Sequence, residues 1–374
     1  MAKILTFIIF LCVFLFSFAT PYRVYADPPD ELDSQEVFAR AQVLQVINSY
    51  IQKFAGGKIY NENLKVQFLE GREKGKIVTI DYSTDATFGI QRIEKNAIVV
   101  IDSKPLPSRQ VYYSIYQPYR LNNLFWIIVG LILLIFAVVG KRGIGAIIGL
   151  AISLATILFF IMPQILNGKD PLTVCIIGAI VILFVTTYVA HGISTKTTIA
   201  LVGTAFSLIL AAGFSFIAVK LTYLLGLGDQ NSYTLQLATA HQINPQGILL
   251  GGIIIGTLGA LNDLTTTQSV TVFALAKENP KQHFSHLYNK SMNIGREHII
   301  SMINTLVLAY AGSSFAIFLF FAFNPINLPW WLLLNDQLTM EEIIRAVVGS
   351  VALILAVPIT TLIASYIALN RKQL

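Results

Sequence analysis

From Leu124 onward the chain repeats apolar stretches of roughly 18–28 residues, and about 20 such residues make a helix long enough to cross a bilayer. Seven spans are read, at 124–140, 144–165, 172–190, 198–222, 248–276, 299–323 and 341–368. This repetition fixes the fold class as an α-helical integral membrane bundle. Only 12% of the residues are charged, about half the share of a soluble domain, and 55% are hydrophobic. A cytosolic enzyme, a disordered regulator and a coiled coil are thereby excluded. Cys12 and Cys175 both lie in apolar runs, so a disulfide framework is excluded as well. Thr339-Met340-Glu341-Glu342 has capping-box spacing and should open the last helix, which Pro358 should bend.

The 122 residues before the spans fall into two parts. Residues 1–26 follow a signal pattern: Lys3, an apolar core from Ile4 to Thr20, Pro21, then Val24-Tyr25-Ala26 as a small-x-small cleavage site. An uncleaved anchor is the alternative, and both send the next segment outside. Residues 27–122 are polar and rich in β-formers. Strands are expected at Ala41–Ile47, Leu64–Leu69, Lys76–Tyr82, Ala97–Ile101 and Val111–Tyr116, with period-2 alternation at Val66/Phe68 and Ile77/Thr79/Asp81. Five short strands suit a small extracytoplasmic β-barrel-like domain, possibly OB-like. No aromatic stacking set marks it for nucleic acid. Residues 123–374 form the transmembrane domain.

Lysine and arginine set the orientation. One set of connections holds Lys141, Arg142, Lys196, Lys277, Lys281, Lys290, Arg296, Arg371 and Lys372, against Lys169, Lys220 and Arg345 on the other side. Nine against three puts the first set, with the C-terminus, in the cytoplasm. The basic net charge of +6 is then a membrane signature, not a nucleic-acid one.

The residues that stand out lie on the fifth and sixth spans. Gly252, Gly256, Gly259, Asp263, Thr266 and Thr267 form one stripe at helical spacing. Without bulk, the glycines permit close approach of another helix or a solute, and Gly252–Gly256 is a small-xxx-small pair. Asp263 is the anomaly, because a carboxylate at mid-bilayer costs about 2.5–3.5 kcal/mol on insertion scales. A helix entering at Gly247 places it about 24 Å along the axis. Asn262, Thr265, Gln268 and Ser269 extend the polar zone. Glu297, Ser301 and Asn304 share a face of the sixth span. Two readings stay open: Asp263 and Asn304 as interhelical hydrogen-bond glue, or these residues as an ion, proton or solute pathway. His283 and His286 lack a ligand set around them. No P-loop, His-Glu-x-x-His or Gly-x-Ser-x-Gly motif is present, so enzymatic activity and a cofactor or metal are not expected.

Four segments are shared with a known family: Gly192-Ile-Ser-Thr-Lys-Thr-Thr-Ile-Ala-Leu-Val-Gly-Thr204, Gly251-Gly-Ile-Ile-Ile-Gly-Thr-Leu-Gly-Ala-Leu-Asn-Asp263, Ser291-Met-Asn-Ile-Gly-Arg-Glu297 and Asn304-Thr-Leu-Val-Leu-Ala-Tyr-Ala-Gly312. On these the chain resembles the YibE/YibF-like family of bacterial multispanning membrane proteins, from about Ala41 to the C-terminus. The resemblance implies a bacterial plasma-membrane location, the acidic position after the glycine run for Asp263, and the asparagine of the sixth span for Asn304. The polar run Thr265–Gln268 departs from the smaller, more apolar residues of the family there. The resemblance carries no activity with it. The leading expectation is a secondary transporter or permease of unknown substrate, with the lipid bilayer and a small solute or ion as partners. The alternative is a non-catalytic scaffold whose β domain binds envelope components or a protein partner.

Overall fold

The structure, a computed structural model, describes residues 37–54, 57–85, 89, 92–105, 111–239 and 242–370. The expected export signal, His241, Arg371 and Lys372 lie outside the described residues. The chain divides into two compact units between Ile135 and Phe136.

The first unit is an antiparallel sheet of β1 (Val37–Phe54), β2 (Gly57–Phe68), β3 (Ile77–Asp85), β4 (Ile98–Pro105) and β5 (Val111–Pro118), in the order β3-β2-β1-β4-β5. The edge strands β3 and β5 approach each other, so the sheet curls into a near-barrel. Alternation explains the interior: Ala39, Ala41 and Val43 of β1, Leu64, Val66 and Phe68 of β2, and Val99 and Ile101 of β4 are buried together. On β3 the buried phase is Ile80 and Tyr82, with Val78 packed against them, while Ile77 is exposed. The alternation read at Ile77/Thr79/Asp81 is therefore that of the outer face: the other phase carries three side chains with apolar surface, Val78, Ile80 and Tyr82, against Ile77 alone, and a period of two permits no compromise between them. Glu62 is buried but satisfied, accepting from Tyr60 Oη at 2.7 Å and from the Ile93 N–H at 3.2 Å. Tyr113 on β5 donates to Glu73 at 2.6 Å, and Lys76 Nζ donates to the Tyr113 oxygen at 2.7 Å. Burial would raise the Glu73 carboxyl, yet these two partners hold it below its usual range.

Among the described residues, six helices are long and apolar enough to cross a membrane: Leu121–Val139, within which the boundary between the two units falls, Gly143–Leu166, Pro171–His191, Thr195–Leu221, Pro245–Glu278 and Gln337–Asn370. We label the helices α1 (Leu121–Val139), α2 (Lys141–Thr156), α3 (Met162–Leu166), α4 (Pro171–His191), α5 (Thr195–Leu221), α6 (Gln230–Ala238), α7 (Pro245–Glu278), α8 (Phe284–Ser313), α9 (Phe315–Phe323), α10 (Trp330–Leu334) and α11 (Gln337–Asn370). A π-helical turn, Ile157–Ile161, joins α2 to α3 within the second span.

Two expectations need correction. The sixth span is not one straight helix over 299–323. It begins at Phe284, absorbs most of the basic connection, and breaks at Ser314, where α9 turns 64° away from α8. Ser313 Oγ bonds back to the Tyr310 carbonyl at 2.8 Å, the local competition by which Gly/Ser pairs bend helices. The last helix is not opened by Thr339. Asp336 caps it one turn earlier, accepting from the Leu338 and Thr339 N–H groups at 3.1 and 3.4 Å. That leaves Thr339 inside the helix, while Glu341 accepts from the Gly228 N–H. By contrast, Ser194 opens α5 with a capping box to Thr197, as its sequence invites.

Helix α7 is the hub of this unit. Ile253, Ile254, Leu258 and Leu261 pack with Leu208 and Ala211 of α5, Leu183 of α4, and Val348, Leu353 and Ala356 of α11. Close approach of α5 and α11 occurs at Gly203, where an added Cβ would lie 2.3 Å from Thr360 Oγ1.

Candidate functional site

Helix α7 starts cleanly. Asn244 Oδ1 accepts from the Gly247 N–H at 3.2 Å, and Pro245 occupies the first turn, where its missing donor costs nothing. Some 34 residues follow without interruption, so Asp263 falls about midway along the helix.

The polar residues around Asp263 divide into two faces. On the inner face, Asn262, Thr265, Thr266, Gln268 and Ser269 are all buried. Asn262 Oδ1 accepts from Thr187 Oγ1 of α4 at 2.8 Å. Thr265 pairs with Thr204 of α5 at 2.6 Å. Gln268 Nε2 donates to the Ser291 carbonyl of α8 at 3.0 Å and to Thr361 Oγ1 of α11 at 2.7 Å. Ser269 Oγ donates to the Lys196 carbonyl of α5 at 2.8 Å. This row ties α7 to all four of its neighbours. It is the interhelical glue, and it accounts for both ends of the polar run Thr265–Gln268: Thr265 and Gln268 reach across helices, so a small apolar residue at either would leave its partner unsatisfied. Thr266 Oγ1 has no partner and is buried away from the outer stripe to which its spacing assigned it.

On the outer face, Asp263 and Thr267 are exposed from the bundle. Asp263 borders two cavities. One, of about 660 Å³, lies between α2, α4 and α7 and is lined by Gly149, Ser153, Thr186, His191, Gly259 and the edge of Asn262. The other, of about 170 Å³, lies between α7 and α8 and is lined by Thr267, His298, Ser301 and Met302. No described residue hydrogen-bonds or ion-pairs with the carboxylate. The structure therefore brings Asp263, Asn262, Thr267 and Ser301 together. It does not bring in Glu297 or Asn304, which are exposed on α8 and border neither cavity, so the Asp263–Asn304 hydrogen bond is not formed.

The glycine stripe has a different use from helix packing. Positions Gly252 and Gly259 face open space, with nothing within 4 Å of an added Cβ, and Gly256 meets only the Tyr310 hydroxyl at 3.0 Å. Helices meet one residue over, at Gly251, where an added Cβ would lie 2.5 Å from Cys175 Sγ. The heptad-like spacing of the three glycines predicts a shared face correctly; it does not say whether a neighbour covers it.

A third cavity, of about 620 Å³, opens over Gly252 and Gly256 at the end of the unit where α7 and α11 begin. Its charged lining is Asp229, Glu341, Glu342 and Arg345; the sequence marks Glu341 and Glu342 only as part of a capping pattern, and Arg345 only as a positive charge on the outer side. Their signal in the sequence is three charges within five positions of an apolar span. From this cavity through Gly259 to Asp263 and Thr267, one face of α7 borders all three openings.

Comparison with families of known sequence finds one described as YibE/F-like protein, matching residues 127–370. Comparison with curated proteins and with solved structures returned no match.

Proposed function

The chain belongs to the YibE/F-like family, and we propose that it is a permease rather than an enzyme, passing a small ion or solute along the open face of α7 with Asp263 as the charged station on the route. The observation that carries this reading is the position of the Asp263 carboxylate: midway along the central helix, bordering two cavities, and used by no interhelical hydrogen bond. A carboxylate so placed in a bilayer calls for water, a proton or a cation. The adjacent glycines keep the route free of side-chain bulk, and Thr267 and Ser301 supply oxygen ligands beyond it. The inner-face hydrogen bonds hold α7 in place, which leaves the outer face free to serve transport. The bias of lysine and arginine supports a bacterial plasma-membrane orientation with the β unit outside and the C-terminus inside.

The test is proton or sodium flux down an imposed gradient into liposomes holding the full chain. Asp263→Asn should abolish the flux, while Thr204→Val, whose partner Thr265 borders neither cavity, should leave it. Equal flux through wild type and Asp263→Asn would remove Asp263 from the mechanism.

A further inference from the structure

The cavity above Gly252 and Gly256 is built around one carboxylate. Glu341 lies within α11 and is only 5% exposed. Its Oε1 accepts from the Gly228 N–H at 3.0 Å and from Gln337 Nε2 at 3.2 Å. Its Oε2 receives no hydrogen bond from any described residue, and the side chain lines the cavity. The loop that holds it is shaped for the purpose. Gly226 takes φ +79°, and an added Cβ there would lie 2.2 Å from the Pro245 carbonyl oxygen; one at Gly228 would lie 2.7 Å from Leu338 Cα. A loop without side chains at these two points lies close on the start of α7 at Gly226 and on α11 at Gly228, where it presents its backbone N–H to Glu341. Holding one oxygen by a loop donor leaves the other to the cavity.

The remaining charges decide the sign of the ligand. Arg345 donates to Glu342 Oε1 at 2.7 Å, which neutralises that pair. Glu341 and Asp229 are left, so the lining is net negative. Tyr310 stands over Gly256, its hydroxyl 3.0 Å from an added Cβ, and adds an aromatic side chain with a hydroxyl acceptor to the wall. Among the described residues no three His, Cys, Asp or Glu groups converge as a metal site would require. A volume of about 620 Å³ also exceeds the need of a bare ion and falls in the range of small-molecule pockets.

We propose that this cavity binds a small organic cation of the alkylammonium class, with Glu341 as its counter-ion. The ammonium group sits against Glu341 Oε2, and the alkyl part lies along the bare backbone face at Gly252, beside Ile248, Leu249 and Ile317. The role of that cation as cargo rests on the transport reading above; its binding does not.

The test uses the full chain in nanodiscs and follows modification of Glu341 by a hydrophobic carbodiimide, read by peptide mass spectrometry. N,N-dimethylbutylammonium chloride, whose tertiary nitrogen forms no amide with the carbodiimide adduct, should at ten times its half-protecting concentration slow modification about tenfold by mass action. Sodium chloride and sodium butanesulfonate at equal ionic strength should not. In Gly252→Leu, where the new side chain enters the cavity, Glu341 should still react but lose its protection by the ammonium ion. In Asp263→Asn, protection should persist. Equal protection by sodium, protection by butanesulfonate, or a Glu341 that the carbodiimide cannot reach each overturns the assignment. Protection in a wild-type chain that carries no flux would sink the transport reading and leave this one standing; flux without protection would do the reverse.

Discussion

Gly251 and Gly252 are neighbours in sequence with opposite surroundings, so one methyl group at each tests the packing of α7. At Gly251 the methyl would sit 2.5 Å from Cys175 Sγ and 2.9 Å from Cys175 Cβ. Both atoms belong to a side chain fixed in the core of α4, and separations this short require a shift. Overpacking of that kind costs about 1–3 kcal/mol. At Gly252 nothing lies within 4 Å, so the methyl meets no neighbour. Exchange of glycine for alanine in a helix gains up to about 1 kcal/mol, and that gain is common to both variants. It cancels in the comparison. Gly251→Ala should therefore be less stable than Gly252→Ala by about 1–3 kcal/mol. The assay is reversible unfolding of the full chain in mixed micelles, titrated with a denaturing detergent and followed by tryptophan fluorescence. Cys175→Ala removes the Sγ at 2.5 Å and should return part of the loss in the Gly251→Ala background. If Gly252→Ala is as destabilising as Gly251→Ala, the outer face of α7 is covered by protein after all, and the open route along it does not exist.

Two further outcomes follow from single contacts. A double-mutant cycle on Thr187→Val and Asn262→Leu should give a coupling of about 0.6 kcal/mol, with about 1.7 as an upper bound, the range for interhelical hydrogen bonds in a bilayer; zero coupling in the same unfolding assay would show that the 2.8 Å bond contributes nothing. In the β unit, Arg40 bonds Glu70 through its Nε and Nη2 and holds the Glu70 carboxyl below its ordinary value of 4.5. A depressed carboxyl stabilises above its unfolded pKa and ceases to as pH falls through its folded one, so any gap in thermal unfolding between wild type and Glu70→Gln should hold at neutral pH and close only below about pH 4.5; a gap that closes between pH 5 and 8 would assign the effect to another group.

The fold was legible where the signal is a length or a period. Apolar runs located every apolar helix but the sixth to within a few residues, and alternating apolar residues located all five strands. Ser194 announced its own helix because its partner, Thr197, is three residues away. What stayed hidden depended on which of two local solutions tertiary packing selects. Asp336 and Thr339 are both capping residue types three positions apart, and the fold uses Asp336. The break at Ser314 carries no proline and follows an apolar run with no gap in hydropathy. Ile77 and Ile80 are equally apolar, and Ile80 is the one buried because Val78 and Tyr82 share its phase.

The site shows the same division. Sequence spacing gathers Gly252, Gly256, Gly259, Asp263 and Thr267 on one face, and that much is geometry of any helix. Spacing also offers two uses for Asp263, glue or pathway, which differ only in what stands opposite. Opposite the inner face stand Thr187, Thr204, Ser291 and Thr361, each within hydrogen-bond reach of a neutral side chain on α7. Opposite Asp263 stand two cavities. A helix already fastened to four neighbours by uncharged groups gains no further hold from a carboxylate that none of them touches. In a bilayer such a group lowers stability, and the proposed permease role is the reading under which a carboxylate on that face has a use.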